Sequence, residues 1–156
     1  MEREAKCEIG NITEVLENDK LKYVELIKKK SGILDWSKRE CFLHGVSADD
    51  FYNRKDAVYF FVVDEHTLKI GQTERTISER LEDYNRKRNG KGTESHVMKY
   101  LMGCNGKIRM YIDYPEGEIS YGSMKMKMGS KTVEDMYIKT YFSKFGCLPI
   151  LNKGFC

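Results

Sequence analysis

A chain of 156 residues, 40% hydrophobic and 33% charged, can bury one core without disulfide staples and reads as a single soluble domain. No apolar run approaches the ~20 residues of a membrane span, and the opening MEREAKCEIG has no signal-peptide shape, so a cytoplasmic protein with no membrane partner is expected. A net charge of +3 does not by itself identify a polyanion partner, while five cysteines without a CxxC pair and three scattered histidines argue against a disulfide framework, a zinc ribbon or a His-rich metal site.

In chain order, residues 11–30 read as a helix. Asn11 can cap it with Glu14 three residues on, and Ile12, Val15, Leu16, Tyr23, Leu26 and Ile27 form an interrupted apolar face. Ser31-Gly32 stops it. Residues 34–37 begin a second short helical stretch, with Trp36, Phe42 and Leu43 as core and Gly45 closing it. Residues 46–56 are polar and lead to the first strand.

The stretch AVYFFVVD from Ala57 is apolar almost throughout, the pattern of a central strand covered on both faces. Tyr59 is its one polar handle. A short second strand carries Lys69 and ends at Gly71, where the backbone must turn or approach something closely. Thr76-Ile77-Ser78-Glu79 fits a capping box. In that frame Ile77, Leu81 and Tyr84 share one helix face, and Arg80 falls on it too. A lone inward arginine ordinarily snorkels to the stripe's edge or pairs with a carboxylate.

Arg86, Lys87, Arg88 and Lys91 cluster at the end of this helix and in the loop beyond. They complement the helix dipole, and their proximity to Arg80 also suits phosphate contacts. Residues 94–102 read as a helix and residues 107–114 as a third strand, alternating cleanly. Residues 115–122 are turn-rich. Residues 123–128 alternate Met with Lys, so Lys125 and Lys127 belong either to a protected edge strand or to a DNA-facing arm. Thr132 then caps a last helix that ends at Gly146 and places Glu134 in its first turn, where the dipole favours a carboxylate whatever its function. Tyr137, Ile138 and Tyr141 put Glu134 on an apolar face, where a carboxylate needs a partner or a metal.

Tyr59 in VYFF, the KIG of Lys69-Ile70-Gly71, Arg80, Glu134 in TVEDMYIKTYF and the closing LPILN at Asn152 together resemble the GIY-YIG nuclease superfamily. The resemblance covers residues 57–152, with VYF in place of GIY and Lys69 in place of the second tyrosine. That lysine is similar to a branch of small dimeric type II restriction endonucleases, and also to phage-type KIG domains. The resemblance implies an α+β fold, a small mainly antiparallel three-stranded sheet flanked by helices, preceded by an N-terminal helical extension over residues 1–50. It also implies a site-specific, Mg²⁺-dependent endonuclease for double-stranded DNA. In that reading Tyr59 orients or deprotonates the attacking water, helped by the Lys69 ammonium, and Arg80 holds a phosphate oxygen. Glu134 binds one Mg²⁺ on the leaving-group side. Tyr84 stands where many family members have histidine, and Gly71 and Asn152 are structural. A homodimer follows from the resemblance and from the symmetry of two-fold sites.

Three other readings stand beside it: a repair or mobile-element nuclease with the same site, a non-catalytic DNA-binding module on the same fold, and an α+β interaction protein in which Arg80 and Glu134 satisfy each other. The hairpin supplies a geometric condition. A turn of Glu65-His66 alone puts Tyr59 and Lys69 on opposite sheet faces, whereas a three-residue turn or a bulge puts them on the same one.

Overall fold

The computed structural model describes residues 10–36 and 42–152. Two 3-10 turns (Ile12–Glu14 and Asn18–Lys20) lead into β1 (Tyr23–Lys28), β2 (Leu34–Asp35), β3 (Leu43–His44) and the short helix α1 (Ala48–Asn53). A long hairpin follows, β4 (Lys55–Val63) and β5 (His66–Thr76), then helices α2 (Ile77–Arg86) and α3 (Thr93–Gly103). Strand β6 (Ile108–Asp113), a second hairpin of β7 (Glu118–Tyr121) and β8 (Met124–Lys127), and the helix α4 (Ser130–Phe145) complete it. The architecture is α+β. Among the described residues, no helix is long and apolar enough to cross a membrane.

Six of the described strands form one antiparallel sheet in the order β2-β1-β6-β4-β5, with β3 also paired to β1. β4 is central and apolar on both sides. Its residues Ala57, Tyr59, Phe61 and Val63 face one core with Ile77, Leu81 and Tyr84 of α2 and Val97, Met98 and Leu101 of α3. Val58, Phe60 and Val62 face a second core with Ile12, Leu16, Ile70, and Val133 and Tyr141 of α4. The half-buried thiols of Cys104 and Cys147 pack against the first and the second core respectively.

The sheet is wider than the three strands expected, because the N-terminal segment supplies strands in place of helices. Asn11 does accept a hydrogen bond from the Thr13 amide, but it caps only a single 3-10 turn. Burial at Val24 and Leu26 has the period of two of a strand, and β1 pairs with β6 along residues 23–26. Leu34 and Asp35 pair with Lys28 and Ile27 instead of opening a helix. The expected continuation at Ser37 lies outside the described residues. Within residues 46–56 a Ser47 side chain caps α1, which buries Phe51 completely.

β5 runs on past Gly71 to Thr76, so it is not the short strand expected. Among the described residues, residues 118–121, in the turn-rich region, pair only with β8, and the two form a separate hairpin whose Met124–Lys127 strand is exposed throughout. α4 starts at Ser130, two residues before Thr132. Gly129 offers no side-chain cap, and the Asp56 carboxylate accepts from the Ser130 amide at 3.1 Å instead. Glu134 therefore lies beyond the first turn, where the helix dipole does little for it.

The β4–β5 hairpin turns at Asp64-Glu65, both with positive φ (48° and 66°), and pairs Val63 with His66. One residue farther, the register shifts: Val62 pairs with Thr67, but Phe61 pairs with Lys69, leaving Leu68 as an extra residue. The shift brings Lys69 and Gly71 onto the face of Tyr59 and Phe61. The turn is one residue earlier than Glu65-His66, and the bulge meets the geometric condition.

The outer edge of β5 is closed by sequence-distant segments. Thr67 N donates to Gly10 O at 2.8 Å, and Leu151 N donates to Leu68 O at 2.8 Å. Asn152 accepts from Ile70 N at 2.7 Å and donates to Ile70 O at 2.9 Å, all buried. Asn152→Ala strips both partners from Ile70, each a buried group whose desolvation costs roughly 1–3 kcal/mol. Urea unfolding is expected to show a loss of about 2–6 kcal/mol on that basis, and an unchanged midpoint would contradict the edge role.

Candidate functional site

Tyr59 projects from β4 toward α2. Its ring lies over Gly71, where a Cβ would stand 2.5 Å from Tyr59 Cζ and 2.6 Å from its hydroxyl oxygen. Glycine is thus required here by the approach of a neighbouring ring. The Tyr59 and Tyr84 hydroxyls lie 2.8 Å apart and either can donate; Arg80 Nε donates to the Tyr59 oxygen at 3.1 Å. The Arg80 guanidinium also stacks over the Tyr84 ring, 4.4 Å from its centroid. The observed capping box of Thr76 and Glu79 sets the helical frame that delivers Arg80 and Tyr84 together.

Nη1 of Arg80 donates to Asp83 Oδ2 and to Glu94 Oε2, each at 2.9 Å. The carboxylates that satisfy Arg80 are therefore Asp83 and Glu94, and the expected alternative in which Arg80 and Glu134 satisfy each other does not describe this site. Asp83 and Glu94 were not among the residues singled out from the sequence. Asp83, three residues after Arg80 and four before Lys87, had a spacing signal. Glu94 reaches Arg80 across a loop and left none.

Electrostatics follow from burial. The Tyr59 and Tyr84 hydroxyls are pushed above the ordinary phenol range by desolvation, which outweighs the opposing pull of Arg80. Both are protonated phenols at neutral pH. Burial alone would weaken the Arg80 charge, but its contacts with Tyr59, Tyr84 and Glu94 hold its pKa above the usual guanidinium range. Burial raises Glu94, and the hydrogen bond from Arg80 brings it below the ordinary carboxylate value.

Lys69 is half-buried on the same sheet face as Tyr59. Glu134 on α4 is half-buried, and desolvation raises its carboxyl while the Lys69 charge opposes that rise. Its charge also acts on Tyr59. Among the described residues, the Glu134 carboxylate makes no hydrogen bond and no ion pair.

The basic residues fall in three places. Arg86 and Lys87 both pair with Asp83, the latter at 3.4 Å, and Arg88 donates to Asn85 O at 2.6 Å as a helix-end contact. Lys91 is exposed just before α3, and Lys125 and Lys127 are exposed on β8.

No protein-family model and no curated protein matches the chain. Among solved structures, the restriction endonuclease HPY188I in complex with product DNA aligns at 18% identity over 99% of this chain and 98% of that chain, with a TM-score of 0.49. A point mutant of bacteriophage T4 EndoII aligns at 15% identity over 85% of this chain and 91% of that chain, with a TM-score of 0.52. The chain shares its fold with T4 EndoII.

Two outcomes are expected. Gly71→Ala must push the Tyr59 ring off its seat, an overpacking cost of about 1–3 kcal/mol, read as a lowered denaturation midpoint; wild-type stability would mean that the ring has room. Because the Glu94 pKa is depressed on folding, its contribution is present above the unfolded value of 4.5 and is lost as pH falls through the folded value. Acid unfolding of Glu94→Gln is therefore expected to be less steep than that of wild type, and identical acid profiles would contradict the ion pair.

Proposed function

We propose that the protein is a site-specific, Mg²⁺-dependent endonuclease for double-stranded DNA, of the restriction type, on a GIY-YIG-like core over residues 57–152. The observation that carries this reading is the hydrogen-bonded group of Tyr59, Tyr84 and Arg80, with Lys69 and Gly71 on the same sheet face and Glu134 within electrostatic reach. The fold shared with a phage endonuclease supports it, as does the resemblance of VYF, KIG, Arg80, Glu134 and LPILN to that superfamily.

Arg80 holds a non-bridging phosphate oxygen and stabilises the charge that grows there in the transition state. Tyr59 is a buried phenol with a raised pKa, so its hydroxyl orients a group and does not serve as a resident base. Lys69, half-buried and more accessible, steers the attacking water beside it. Tyr84 fixes the Tyr59 hydroxyl and the plane of the guanidinium.

Glu134 suits a single Mg²⁺. It is a half-buried carboxylate with no hydrogen-bond or ion-pair partner among the described residues, and Mg²⁺ commonly takes one or two carboxylates while keeping water and phosphate as its other ligands. When bound there, Mg²⁺ would supply Lewis-acid stabilisation of a leaving oxygen, with Glu134 as the residue that would hold it. Lys91, Lys125 and Lys127 are exposed cations suited to phosphates along the duplex. Two copies of a site that cuts one strand suit a two-fold symmetric target, which supports a homodimer.

The test is digestion of mixed-sequence DNA with and without Mg²⁺, with sequencing of the ends. Discrete Mg²⁺-dependent fragments support restriction-type cleavage, and a smear would replace it with a non-specific nuclease. Intact DNA with salt-dependent binding would replace catalysis with a binding module. Glu134→Ala is expected to abolish cleavage and leave DNA binding within about twofold, since the metal contributes to the transition state more than to the ground state; retained cutting would remove the metal assignment.

A further inference from the structure

The Arg80 guanidinium has five N–H groups in one plane. Nε–H goes to Tyr59, and both hydrogens of Nη1 go to Asp83 and Glu94. Among the described residues nothing accepts from Nη2. The side chain as a whole remains 18% exposed. Three hydrogen bonds and the Tyr84 ring fix the plane, and so fix the direction in which Nη2 points.

Two carboxylates at 2.9 Å would ordinarily cancel the attraction of a guanidinium for an anion. Here Arg86 and Lys87 also bond to Asp83. Three cations face two carboxylates, and one positive charge is left in excess. The cluster can therefore hold Arg80 rigidly and still attract a phosphate.

We propose that Asp83 and Glu94 are positioning residues, which grip Arg80 by Nη1 so that its Nη2 edge is the donor presented to a DNA phosphate oxygen. This rests on the nuclease reading of the site. The opposite possibility is a latch, in which the two carboxylates occupy Arg80 and must release it before phosphate binds. The two make opposite predictions for removal of Glu94.

The experiment compares wild type, Glu94→Gln, Glu94→Ala and Asp83→Ala in three measurements: Mg²⁺-dependent nicking, affinity for a short DNA duplex without Mg²⁺, and the ¹⁵N–¹H signals of the Arg80 guanidinium. Loss of orientation is expected to lower kcat for Glu94→Ala by about tenfold to a hundredfold, the scale of a misplaced reacting group, with little change in duplex affinity. Glu94→Gln keeps an acceptor for Nη1 and is expected to recover most of that loss. Separate Nη signals in wild type and Glu94→Gln, merging in Glu94→Ala, would show the grip directly.

Equal or faster nicking by Glu94→Ala would establish the latch and overturn the proposal. Should Glu94→Ala fail to fold, the same loss of kcat and merging of signals are expected for Asp83→Ala, which removes the other acceptor of Nη1, and wild-type rate with wild-type spectra there would also overturn it. If wild type never nicks DNA, the nuclease reading fails, and the guanidinium signals still decide the grip. Averaged Nη signals in wild type would overturn the proposal by themselves.

Discussion

One extra residue in β5 organises the site. A strand's side chains alternate between faces, so without the bulge at Leu68 every residue beyond it would be reversed relative to β4. Lys69 would then leave the Tyr59 face, and Gly71 would no longer lie beneath the Tyr59 ring. The bulge is itself held in place, since Leu68 is buried and its carbonyl is bonded by Leu151 while Thr67 next to it is bonded to Gly10. The register of a single hairpin thus decides whether Lys69 and Gly71 join the face of Tyr59.

Around that register the polar cluster is built at a cost the surrounding core must offset. Tyr59 and Tyr84 are almost fully enclosed, and a buried hydroxyl without a partner costs more than the bond it lacks. They satisfy each other, and Arg80 completes the pair. The guanidinium in turn needs its own carboxylates, and Asp83 needs the more exposed Arg86 and Lys87. Charge is handed outward step by step, from an enclosed phenol pair to cations that water solvates. On the other side of β5, Asp56 reaches the first amide of α4, so the helix bearing Glu134 is anchored to the start of the same hairpin.

How much of this the sequence discloses depends on how local the cause is. The stretch from Ala57 to Tyr84 was legible because its signals agree: an unbroken apolar run, a capping box, and an arginine at helical spacing within an apolar stripe. The helix at α3 and the strand at β6 were legible for the same reason. The segment before it was not, since its apolar residues fit a helical period and become a strand only because β6 offers an edge to pair with. The start of α4 was misplaced at Thr132 because its cap comes from Asp56, 74 positions away. Glu94 meets Arg80 only through the packing of α3 against α2, a contact no spacing rule anticipates.

The sealing of β5 by Gly10, Leu151 and Asn152 has a consequence for how copies of this chain can associate. Along residues 67–70 of that flank the backbone groups are already bonded, so a foreign strand cannot extend the sheet there, beside the polar cluster. Contacts between molecules must be made there by side chains, which can be matched to a partner more selectively than a bare backbone. Gly10 on one side and Leu151-Asn152 on the other act as a molecular hem: fraying either segment would turn a guarded flank into an adhesive one within a few residues of Lys69 and Gly71.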